Sequence, residues 1–172
     1  MQTLPNSPLK RLLAAALLFA AVLAPAHAGS MTDYLENRIV DWLFRGQAYT
    51  PPSTIYVSLH TAACSDSSAG TEVSGGSYAR ASLAATTSNW ANTQDSGTGA
   101  SSGTGGTTKN KATITFPAPT ANWGSVTHFG IWDASSSGNM LFCAALGTAK
   151  TVNNGDAAPS FAVDALTVQI DD

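Results

Sequence analysis

Thr54-Ile55-Tyr56-Val57-Ser58-Leu59-His60 decides the fold, because Ile55, Val57 and Leu59 alternate with Thr54, Tyr56, Ser58 and His60. Period-two alternation places successive side chains on opposite faces and marks a half-buried strand. Working outward, comparable β-type runs occupy residues 77–84, 111–116, 126–132, 140–146 and 166–170, separated by Gly, Ser, Asn and Pro. Short strands with turn residues between them and no intervening helix predict a mainly β chain folded as an antiparallel β-sandwich, jelly-roll-like or Ig-like. Two turns are readable. Residues 133–139 (DASSSGN) join the fourth and fifth strands, and residues 152–156 (VNNGD) lead toward the last, with an Asn-Gly pair that favours left-handed turn residues.

Two stretches break the β pattern. Residues 95–108 (DSGTGASSGTGGTT) hold no apolar residue larger than Ala and no charge after Asp95. Such a segment buries too little to offset its ordering entropy, so a flexible Gly/Ser loop between strands is expected. Its glycine spacing fails G-x-G-x-x-G, which removes nucleotide binding. The other stretch, residues 33–45, reads as the one amphipathic helix. Thr32 is a suitable N-cap, Asp33 and Glu36 complement the first turn, and Gly46 supplies a stop. Leu35, Ile39, Trp42 and Leu43 fall at i, i+4, i+7 and i+8 and are the interface candidates. A helix of two to three turns persists only when packed, on its own sheet or on a neighbouring subunit.

Ahead of this helix, Lys10 and Arg11 precede the apolar run of residues 12–24, and Pro25-Ala26-His27-Ala28 ends in a small-x-small pattern. That is the form of a secretory signal peptide, residues 1–28. The apolar run is too short for the ~20 residues of a bilayer-crossing helix, so no membrane attachment is expected after cleavage. Gly29-Ser30 then reads as a junction before Met31. A single domain over 31–172 follows, with Met31 the original start and residues 1–30 an addition. Only 11% of the chain is charged, against ~25% for an average soluble domain. The net charge is −3, and residues 29–172 carry six Lys/Arg against eleven Asp/Glu. A basic surface able to neutralise phosphates is absent, so no nucleic-acid partner is expected.

Convergent chemistry is missing from the sequence. His60 and His128 sit on separate strands, no nucleophile elbow is present, and no His or Cys spacing suggests zinc. Strand histidines at a sheet surface or interface are the expected reading. A calcium site from Asp133 and Asn139 lacks the D-x-[DN]-x-[DN]-G loop. No metal, no cofactor and no enzymatic activity are therefore expected. Cys64 and Cys143 form an even pair that invites a disulfide, yet Cys143 lies in an apolar strand where a free thiol behaves as a small hydrophobe. Two free thiols are the favoured reading. Trp90, Trp123, Trp132, Tyr56 and Tyr78 could line a sugar-binding surface, but aromatic area more often fills a small core.

Four phrases occur in order: RGQ-x-YTPP from Arg45, GTEVSGG-x-YAR from Gly70, W-x-x-VTHFGI-x-D from Trp123 and KTVN-x-GD from Lys150. With them the chain over 31–172 resembles a family of small bacteriophage virion proteins labelled tail fibre or tail structural proteins. The signal peptide, the long Gly/Ser loop and the two cysteines depart from that family's pattern. The resemblance implies a structural virion protein of a tail fibre or of capsid decoration, a homo-oligomer with a trimer favoured. Its implied partners are other virion proteins and a host surface glycan. A secreted carbohydrate-binding β-sandwich is the alternative from another class.

Overall fold

A computed structural model describes residue 23, residues 26–28 and residues 30–170. The signal-peptide reading falls mostly on residues outside this set. The elements are β1 (Ala26–Ala28), β2 (Ser30–Met31), α1 (Asp33–Phe44), β3 (Thr54–Ala62), β4 (Thr71–Glu72) and β5 (Ala81–Ala84). They continue with β6 (Thr107–Lys109), β7 (Ile114–Thr115), β8 (Gly124–Trp132), β9 (Met140–Val152), β10 (Ser160–Phe161) and β11 (Leu166–Gln169). A six-stranded sheet runs β2-β9-β8-β3-β4 with β5 also on β3. A three-stranded sheet runs β1-β11-β6, and β10 pairs with β7. All pairs are antiparallel except β1 with β11. This is a mainly β, sandwich-like fold with one helix among the described residues, as the alternation at Thr54–His60 requires. No helix among them is long and apolar enough to cross a membrane.

The pleat explains the core. Val57 and Leu59 of β3, Phe129 and Ile131 of β8, and Phe142, Ala144 and Leu146 of β9 join Ile114, Phe116, Phe161, Leu166 and Val168 in one apolar cluster. Phe161 meets Phe129 edge-on at 5.6 Å between ring centroids, a geometry that ring quadrupoles favour. Asn110 closes the side between β6 and β11. Its Nδ2 donates to the Ala112 and Ala162 carbonyls, and its Oδ1 accepts from the Leu166 N–H at 2.8 Å. A wholly buried amide with these partners clamps three backbone segments together.

Element boundaries moved where turns intrude. The strand expected over 77–84 starts only at Ala81, because Gly75, Gly76 and Ser77 all adopt positive φ in the turn before it. Thr107 and Thr108, expected within the loop, belong to β6. The expected helix ends at Phe44, where Arg45 is the C-cap. The 133–139 turn joins β8 to β9 as expected, with both Asp133 carboxylate oxygens accepting from Asn139.

The free-thiol reading is overturned: Cys64 and Cys143 are disulfide-bonded, with Cα atoms 6.0 Å apart across 79 residues of sequence. The expectation failed because β9 is covered on both faces. Phe142, Ala144 and Leu146 face the main core, whereas Cys143 joins Trp132 and Met140 in a second cluster against Cys64. An apolar strand therefore did not mean a single apolar environment.

Candidate functional site

Three features stand out: the helix α1, a polar network on the second face of the six-stranded sheet, and a cavity beside the Gly/Ser loop. Thr32 fixes the start of α1, accepting from the Leu35 N–H and donating its hydroxyl to the Met140 and Leu141 carbonyls of β9. Leu35 is buried in the main core and Ile39 is partly buried against it. Farther along, Val40, Trp42, Leu43 and Phe44 are 47%, 57%, 59% and 77% exposed. The four interface candidates are thus divided: Leu35 and Ile39 pack on the chain's own domain, while Trp42 and Leu43 face outward beside Val40 and Phe44. Val40 and Phe44 were missed because they lie off the i, i+4, i+7, i+8 stripe.

The polar network centres on Arg80. Its guanidinium binds Glu72 through two hydrogen bonds, from Nε at 2.9 Å and Nη2 at 2.8 Å. Its Nη1 donates to the Ala134 and Ser137 carbonyls of the β8–β9 turn. Its Cζ lies over the Trp132 ring, 3.6 Å from the centroid, a cation–π contact. Trp132 Nε1 donates to Ser58 Oγ at 2.7 Å, and Ser58 Oγ lies 2.6 Å from His60 Nε2. Gly130 leaves room for these groups, since a Cβ there would come within 2.8 Å of both Ser58 Oγ and Trp132 Nε1. The Tyr78 hydroxyl ties the network to β3 by donating to Glu72 and accepting from the Leu59 N–H.

Ser58 and His60 are the serine–histidine pair that a hydrolase would use, yet both are completely buried. Burial pushes the His60 pKa down, with the Arg80 charge adding to it and Glu72 opposing. A neutral imidazole then accepts the Ser58 proton while Ser58 accepts from Trp132. Its Nδ1 is aimed at the Ala69 backbone without forming a good hydrogen bond. Burial would raise the Glu72 carboxyl, but hydrogen bonds from Arg80 and Tyr78 outweigh it and hold the pKa below its usual range. Burial raises the Tyr78 pKa, so that hydroxyl stays a donor. The arrangement fastens residues 63–80 across the sheet and leaves Ser58 sealed from any substrate. The expectation of surface histidines fails at His60 for the same reason: its polar-phase face is covered.

The sugar-platform candidates are likewise engaged in packing. Trp123 and Trp132 are buried, and Tyr78 packs edge-on to Trp123 at 5.3 Å between centroids. Trp90 lines a cavity of about 470 Å³ together with Ile55, Ile131, Leu141, Phe142 and Val168. One rim is the loop at Gly97–Ser101. That loop is laced to the preceding segment. Asn92 Nδ2 donates to the Ser96 and Gly99 carbonyls, and the Gln94 amide binds the Ala100 carbonyl and the Ser102 N–H. Lys111 bridges Asp95 and Asp164, each at 3.0 Å. Among the described residues no group of three or more His, Cys, Asp or Glu is placed to hold a metal.

The family model described as podophage GP4 fiber I protein gp80 matches residues 30–169. No curated protein matches the chain.

Proposed function

The chain belongs to the podophage GP4 fiber I protein gp80 family and is a structural phage-fibre component of the virion; on that premise we propose that it acts by self-association and by docking on a larger assembly. The observation that carries this reading is the exposed apolar end of α1. A soluble monomer has little reason to keep Trp42, Leu43 and Phe44 in water on one short turn, and contiguous exposed apolar area marks contact sites. The favoured state is a homotrimer, and the docking partner is another virion protein of the tail or the capsid surface. Sedimentation of the purified chain tests this directly. An oligomer is expected, and a strict monomer at high concentration overturns it. The carbohydrate-binding alternative loses support here, because Trp123, Trp132 and Tyr78 are occupied in packing.

Residues 1–28 act in this reading as a signal peptide that delivers the chain to an oxidising compartment before assembly. The Cys64–Cys143 disulfide supports that route, since such bonds persist outside the reducing cytosol. Cleavage after Ala28 removes β1 and leaves β11 paired to β6. Alkylating the chain with a maleimide polymer in intact-cell fractions tests the route. Exported chain should resist modification until a reductant is added; a fully alkylated native pool overturns it.

A further inference from the structure

We propose that the exposed C-terminal turn of α1 in one copy inserts into the apolar cavity of a second copy. The inference rests on the self-association reading and deepens it by naming both surfaces. The inserted element is Trp42, Leu43 and Phe44, each more than half exposed. The receptor is the cavity of about 470 Å³ lined by Ile55, Trp90, Ile131, Leu141, Phe142 and Val168.

Both surfaces also carry polar groups without a partner. Trp90 Nε1 is a buried donor with no acceptor among the described residues, and leaving such a group unpaired is destabilising. At the end of α1, the Asp41 carbonyl already accepts from the Arg45 and Gln47 N–H groups. The carbonyls of Trp42, Leu43 and Phe44, in the last turn, have no hydrogen-bond donor among the described residues. Free carbonyls at a helix C-terminus carry the negative end of its dipole and suit an indole N–H. Burying Trp42 and Phe44, 57% and 77% exposed, would remove roughly 200–330 Å² from water at ~150–250 Å² per whole ring. One such contact is roughly a quarter to two-fifths of the ~800 Å² per partner in a standard interface. Insertion and receptor surfaces differ, so the contact is head-to-tail, and closing it into a ring gives every copy two such contacts. A closed ring accommodates the favoured trimer.

The test uses the full chain. Trp42→Ala combined with Phe44→Ala changes only exposed side chains, so the fold should survive, checked by an unchanged far-UV circular dichroism spectrum. Sedimentation velocity should then show the native oligomer dissociating, with association weakened at least tenfold. A second arm avoids dependence on that variant: Arg45→Cys chain, which keeps Trp42, Leu43 and Phe44, is mixed with Thr87→Cys chain, Thr87 being at the exposed cavity rim. The native cysteines are paired. A bismaleimide should link the two variants to each other when mixed. An oligomer that ignores the double substitution, or mixed chains that do not cross-link, overturns this inference and leaves self-association standing. A monomeric native chain removes both. A small apolar ligand seen in native mass spectra, retained by the double variant, overturns it too, since cavities of ~300–1,000 Å³ also hold small molecules.

Discussion

Two segments beside the longest strands make opposite use of their side chains: residues 63–80, which carry the edge strand β4 and set Cys64 and Arg80 against the second face of the six-stranded sheet, and α1. The first is saturated. The disulfide fixes Cys64, Arg80 makes hydrogen bonds to Glu72 and to two carbonyls of the β8–β9 turn, and Tyr78 reaches both Glu72 and Leu59. The helix is met along its N-terminal half, through Thr32, Leu35 and Ile39, and ends in exposed apolar residues. A segment whose polar and apolar groups are all met by its own domain is scaffold. One whose far end is unmet is where a partner belongs.

The comparison predicts a graded series. Replacing both Cys64 and Cys143 by Ala should be the most damaging change, costing ~4.5 kcal/mol on the loop-closure model for a separation of 79 residues. Urea titration with and without reductant measures it, and a loss below ~1 kcal/mol would mean that residues 63–80 hold without the disulfide. Arg80→Ala should cost ~3 kcal/mol, because it leaves Glu72 without its charged partner and frees the β8–β9 turn. The same titration reads it out. On α1, Leu35→Ala should cost ~3 kcal/mol as a core truncation. Trp42→Ala should stay within ~0.5 kcal/mol when both are titrated at concentrations low enough for the chain to be monomeric, so equal losses at the two helix positions would erase the contrast between its ends.

The scaffold region should also be acid-sensitive. His60 has a folded pKa below its ordinary 6.5, so the unfolded chain binds the proton first and stability falls as pH drops through and below that value. Glu72 has a folded pKa below its ordinary 4.5, so its contribution, complete above that value, is lost as pH falls further. Urea midpoints between pH 7.5 and 4 should therefore decline, by the smallest margins in the series apart from Trp42→Ala. A flat profile would mean that the network is less buried than described.

What the sequence made legible follows from periodicity. The alternation at Thr54–His60 is a local signal and marked β3 correctly, and the spacing of Thr32, Leu35 and Ile39 located the helix and its seated side. Pairing information is not local. Cys143 looked like a core residue because its neighbours Phe142 and Ala144 are apolar, and only folding residues 63–70 over β9 brings Cys64 to it. His60 looked exposed by phase, since the alternation says which face a side chain takes and not what covers that face. The cavity was invisible for a related reason: Ile131 and Val168 come from distant strands, Trp90 from the stretch between β5 and β6, and no short pattern links them. Phe44, the most exposed large apolar residue of α1, sits where a helical stripe assigns solvent, and its significance emerges only beside Trp42 and Leu43.

If the unmet end of α1 joins copies of this chain, sedimentation equilibrium of the native full chain across micromolar concentrations should give a mass of three chains, falling toward one when Trp42 and Phe44 are both alanine. A single-chain mass at every concentration would mean that the end of α1 does not join copies.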